Sequence, residues 1–108
     1  MIVYIIGNME GNHQDYWPGF AEAEEALENM GCTVLNPGGL PGDMPEGAYM
    51  PICMAMLQQA DAVYCMPGWA ESLGSTVERQ FALYQRKPIF ENINSPELAI
   101  LADMNFGR

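Results

Sequence analysis

Positive charge is scarce in this chain. Its 108 residues hold four Lys or Arg against fourteen Asp or Glu, a formal charge of −10. Duplex nucleic acid is held largely by neutralising phosphates with Lys and Arg, so no polynucleotide partner is expected. Histidine is scarcer still: His13 stands alone, and with no second imidazole to share an ion, no metal site is expected. The three cysteines, Cys32, Cys53 and Cys65, are odd in number and lack C-x-x-C spacing. They read as reduced, buried thiols of an intracellular protein. The longest apolar runs, such as "MIVYII", fall far short of the ~20 residues of a membrane span, so no membrane partner is expected. No basic segment precedes that run, as a signal peptide would require, and the expected compartment is the cytoplasm.

What is present is a globular composition. Apolar residues make up 49% of the chain, and a chain of this length builds one core, so residues 1–108 read as one domain. "IVYII" (2–6) is apolar without alternation and stops at Gly7, the pattern of a strand covered on both faces of a parallel sheet. Phe20 to Met30 reads as an amphipathic helix, with Phe20, Ala23, Leu27 and Met30 on one face and Gly31 closing it. "CTVLN" (32–36) is a second strand, and "PGGLPGDMPEG" (37–47) an exposed loop suited to a rim or lid. Ala48–Gln59 reads as a helix that tolerates Pro51 in its first turn. "DAVYCM" (61–66) is a third strand, Ser75–Arg86 a third helix, and "KPIFEN" holds a fourth strand. Ser95 caps a last helix, with Pro96 at its first position. Strand and helix alternate, so the expected class is α/β. The expected architecture is a flavodoxin/Rossmann-like three-layer sandwich around a parallel sheet of four or five strands, in 2-1-3-4 order.

In such sheets ligands bind beyond the C-terminal strand ends, where the strand order reverses. That edge carries Gly7-Asn8-Met9 after the first strand and Pro67 to Ser75 after the third. Gly68, Ser72, Gly74 and Ser75 offer hydroxyls and a close backbone beside a helix start. They can form an anion cradle, or serve as ordinary turn and cap residues. Glu78 carries the same ambiguity. Ser75-Thr76-Val77-Glu78 fits the S-x-x-E capping box, which would fold the carboxyl back to the Ser75 N–H at the surface. A nucleophile would instead point into the cleft.

Cleaving a glycosidic bond usually takes a second carboxyl group. Glu10 and Glu71 lie in suitable loops, whereas Asp61 opens the third strand at the wrong edge and reads as structural. Trp69 and Tyr16 are the aromatics placed to stack on a base. The methionines fit core and interface filling.

Four stretches in series, "VYIIGNMEG", "DYWPGFAEAEEALENMGCTVLNP", "LQQADAVYCMPGW" and "SLGSTVE", resemble the nucleoside 2-deoxyribosyltransferase-like family over nearly the whole chain. The similarity is greatest to its small branch of phage and bacterial proteins. The resemblance implies that Glu78, after a glycine turn, is the nucleophile that attacks C1′ of a deoxyribose. It implies a nucleoside 5′-phosphate ligand, because Ser72 stands where transferases acting on free nucleosides carry an aspartate. It also implies a homo-oligomer with shared sites, and no cofactor. Cys53 departs from the pattern, standing where many relatives have a catalytic aspartate, and Asn8 replaces a common Ser or Thr.

The function expected on these grounds is nucleotide binding with hydrolysis of the N-glycosidic bond through Glu78. Gly7, Asn8, Met9, Gly68, Ser72, Gly74 and Ser75 would hold the nucleotide, with Trp69, Tyr16 and Cys53 beside base or sugar. The alternative is a non-catalytic nucleotide-binding protein, a sensor or a phage-encoded sequestering protein for a nucleotide signal.

Overall fold

In the structure, a computed structural model, residues 1–104 are described. Four strands, β1 (Ile2–Ile6), β2 (Thr33–Leu35), β3 (Ala62–Cys65) and β4 (Ile89–Phe90), form an all-parallel sheet in the order β2-β1-β3-β4. The helices are α1 (His13–Asn29), α2 (Glu46–Gln59), α3 (Leu73–Tyr84) and α4 (Pro96–Asp103). No helix among the described residues is long and apolar enough to cross a membrane.

The unalternated run of β1 is explained by its two covers. Val3 and Ile5 face one layer with Phe20, Ala23 and Leu27 of α1 and Leu98 of α4. Tyr4 and Ile6 face the opposite layer with Cys53 and Leu57 of α2 and Ala82 of α3. The sheet is the middle of a three-layer sandwich, and each inward side chain replaces water with close-packed neighbours.

Three helix starts differ from the sequence reading. Helix α1 starts at His13, seven residues before Phe20, and carries Pro18 inside it. The ring of Pro18 is exposed, while Tyr16 and Trp17 beside it pack on the core, so tertiary contacts outweigh the lost hydrogen bond. Pro51 likewise lies past the first turn of α2, which begins at Glu46. Helix α3 begins at Leu73 rather than Ser75, because Ser72 is its N-cap and accepts from the Ser75 N–H at 3.3 Å.

The loop after β2 is not exposed throughout. Pro37 and Gly38 are buried in a 3-10 turn, and a Cβ at Gly38 would meet the Phe20 Cγ at 2.5 Å. Gly7, at the end of β1, is equally constrained, with the Phe20 Cζ 2.7 Å from its hypothetical Cβ. Phe20 thus seats the two loops that border the C-terminal edge of β1 and β2.

Candidate active site

Beyond that edge a cavity of about 650 Å³ opens between the ends of β1, α2 and α3. Its size lies within the usual range of small-molecule sites, roughly 300–1,000 Å³. The start of α3 contributes Ser72, Leu73, Gly74, Ser75, Val77 and Glu78. Gly7, Met9 and Glu10 come from the β1 loop, Tyr16 from α1, and Met44, Glu46, Tyr49, Met50 and Cys53 from α2 and the loop before it.

Glu78 is the chemical centre of this wall. It is 8% exposed, and its Oε1 accepts a hydrogen bond from the Tyr4 hydroxyl at 2.8 Å. No hydrogen bond engages its Oε2 among the described residues. Burial pushes its carboxyl up to about 7, and the Tyr4 hydrogen bond offsets part of that rise. The capping-box reading fails on geometry: with Ser72 as N-cap, the third helical position is Ser75. Glu78 stands three residues further on, buried on the inner face of the helix.

Tyr4 is a polar side chain within an otherwise apolar strand that is buried from Val3 to Ile6. Cys53 lies against its hydroxyl and lines the cavity, and burial raises both groups above their ordinary values. Tyr4 was not singled out in the sequence, although a lone hydroxyl in "IVYII" is itself a signal, since a buried hydroxyl needs a partner.

The hydroxyls at the start of α3 are committed within the fold. Ser72 Oγ caps the helix, and Ser75 Oγ donates to the Gly7 carbonyl at 2.8 Å, tying α3 to the end of β1. A Cβ at Gly74 would meet nothing closer than the Met50 Cε at 3.4 Å, so packing does not explain that glycine.

Several expected residues are placed elsewhere. Trp69 does not line the cavity: its Nε1 donates to Glu91 at 2.9 Å, and the Arg79 guanidinium sits 4.8 Å from its ring centroid while pairing with Glu91 at 3.2 Å. Gly68 precedes a second 3-10 turn, Trp69–Glu71, and lies in the left-handed region at φ 86. Asn8 accepts from the Glu10 N–H at 2.8 Å in a local turn and is not part of the wall. Asp61 accepts from the Ile2 N–H at 2.7 Å at the opposite edge of the sheet, the structural place its position implied. Of the loop glutamates, Glu10 reaches the rim and Glu71 does not. Glu46 and Tyr49, missed in the sequence, lie in the first turns of α2, Glu46 within the proline- and glycine-rich segment read as a rim and Tyr49 just past it. The Tyr49 hydroxyl donates to the Pro41 carbonyl at 2.6 Å and accepts from the Met44 N–H at 3.3 Å, pinning that segment over the cavity.

Fold and cavity together define an α/β protein with a buried carboxyl group at the ligand edge of a parallel sheet. The chain belongs to the family described as a domain of unknown function, DUF4406, whose model matches residues 1–91. That span includes every residue of the cavity wall. Neither a curated protein nor a solved structure matches the chain.

Proposed function

We propose that the cavity binds a nucleoside, with or without a 5′-phosphate, and that Glu78 cleaves its N-glycosidic bond. The observation that carries this reading is Glu78 itself: buried, lining the cavity, one oxygen held by Tyr4 and the other not hydrogen-bonded among the described residues. Burying a carboxyl group costs stability, and capping, the ordinary use of a glutamate near a helix start, is not what this one does. In the reaction, the free Glu78 oxygen attacks C1′ as the bond to the base breaks. The base leaves with the electron pair of that bond. Water then attacks C1′ of the glycosyl ester, one of its hydrogens staying on the new sugar hydroxyl and the other released as the proton that neutralises the base, and the carboxylate is regenerated. Tyr16 and Tyr49 line the cavity and supply aromatic surface for the base, and the backbone at Gly74 lets the sugar approach the start of α3.

The resemblance to nucleoside 2-deoxyribosyltransferase-like proteins supports the same assignment of Glu78. In this reading the protein works in a reducing cytoplasm, which its three free, buried thiols suit. A second copy packs beside the cavity mouth, where Leu73 is 79% exposed. Incubation with deoxynucleosides and their monophosphates should release free base, detected by chromatography, and Glu78→Ala should abolish it. Absence of base from every substrate would sink the enzymatic reading.

A binding protein without turnover is the second reading, and Cys53 favours it. A buried thiol there is a poor proton donor for a departing base. Strong thermal stabilisation by a nucleotide, with no product, would establish that reading.

A further inference from the structure

A neutral nucleobase leaves readily only if it receives a proton as the glycosidic bond breaks. Tyr4 and Cys53 are hydrogen-bearing side chains that interact with Glu78. The Tyr4 hydrogen is committed to Glu78 Oε1, and burial makes both groups reluctant acids. Of the other hydroxyls on the wall, Ser75 donates to the Gly7 carbonyl, Tyr49 donates to the Pro41 carbonyl, and burial raises the Tyr16 phenol above its ordinary value. The remaining carboxyl groups on the wall, Glu10 and Glu46, are exposed at the rim.

The charge of the wall points the same way. Glu10, Glu46 and Glu78 line the cavity, and no Lys or Arg does among the described residues. Arg79 is paired with Glu91 beside Trp69, and the Lys87 Nζ donates to the Gln58 and Ala60 carbonyls at the other end of α2. A phosphate here would face carboxyl groups with no compensating side chain. A cation would meet complementary charge in a cavity that Tyr16 and Tyr49 also line.

We propose that this site takes N-glycosides of cationic nitrogen heterocycles, the pyridinium nucleoside class, in preference to neutral nucleosides and to nucleotides. The inference rests on Glu78 being the nucleophile. As Glu78 forms its bond to C1′, the electron pair of the C1′–N bond returns to the ring nitrogen and cancels its positive charge. The base departs neutral, and no acid is needed. Water then supplies the sugar hydroxyl, and its second hydrogen is released as a proton. The sum is pyridinium nucleoside plus water to free sugar, neutral base and one proton.

Nicotinamide riboside is the probe, with adenosine and 2′-deoxyadenosine as neutral comparators and their 5′-monophosphates as anionic ones. The expected kcat/KM for nicotinamide riboside exceeds that of the comparators on the order of 100-fold, the scale of one missing general acid, and Glu78→Gln abolishes it. Glu10→Gln and Glu46→Gln, both exposed, should each raise KM for nicotinamide riboside about five-fold and raise that for 2′-deoxyadenosine by less. Equal or faster Glu78-dependent cleavage of the neutral or phosphorylated comparators overturns the inference and leaves the glycosidase reading standing. Absence of Glu78-dependent base release from any of them overturns both.

Discussion

The Tyr4 hydroxyl donates to Glu78 Oε1 at 2.8 Å, joining residues 74 positions apart in the chain. This contact selects one of the two roles open to Glu78, because a carboxyl group held against the sheet cannot also cap a helix. It also restrains the group electrostatically: of the influences on Glu78, burial raises its affinity for protons and Tyr4 lowers it. Tyr4→Phe should therefore push the Glu78 carboxyl above about 7. Since the nucleophile must be ionised, the acid limb of the kcat/KM profile should move to higher pH. A carboxyl left buried without its donor should also cost about 2 kcal/mol of stability. Activity against pH and chemical denaturation of wild type and variant together test this, and an unmoved acid limb would remove Tyr4 from the argument.

Glu78 should also write its burial into the stability of the fold. Its carboxyl titrates at about 7 in the folded protein against an ordinary 4.5. For an acid raised on folding, the native state holds the extra proton, so ν of the native state exceeds that of the unfolded state between these values. Stability from this group is fullest below pH 4.5 and is lost as pH rises through about 7. The full loss corresponds to about 3 kcal/mol. Glu78→Gln, which keeps the shape and the acceptor for Tyr4, should be close to wild type at pH 5 and more stable at pH 8. A gain in stability on removing a polar group is the mark of a site kept for function.

Much of the architecture was legible because it depends on local pattern. The unbroken apolar run of β1 demands two covers, and the Phe20, Ala23 and Leu27 spacing puts one of them on α1. What was illegible depends on distant partners. Ser72, Ser75 and Thr76 are all chemically able to cap α3. The exit of the 3-10 turn at Trp69–Glu71, fastened to Glu91 and Arg79, decides for Ser72. Once the helix starts there, Glu78 rotates toward Tyr4. The starts of α1 and α2 were placed too late for a similar reason, since Pro18 and Pro51 lie inside helices that packing holds in line.

Trp69 should prove a fastener rather than a ligand contact. Its indole and the Arg79 guanidinium converge on Glu91, tying the turn after β3 to the end of β4. Trp69→Phe removes one exposed hydrogen bond and should lower stability by about 1 kcal/mol. Ligand affinity, measured by calorimetry, should stay unchanged, because no Trp69 atom lines the cavity. A large loss of affinity with little change in stability would return Trp69 to the site.

Cys53 offers the sharpest separation between binding and catalysis. It lies against Tyr4, lines the cavity, and is 3% exposed. Cys53→Asp would place a second carboxyl group beside Glu78, and two such groups in one buried site do not both ionise. One of them then keeps a proton that can be passed to a departing base. Cleavage of 2′-deoxyadenosine should rise about 100-fold, the lower range of general acid catalysis, while cleavage of nicotinamide riboside, whose base needs no proton, should not gain. Cys53→Ser controls for loss of the thiol, and circular dichroism for folding of the aspartate variant. If a folded Cys53→Asp protein gains nothing on the neutral substrate, position 53 does not face the leaving base. If both substrates gain equally, the proton was never what limited the wild-type site.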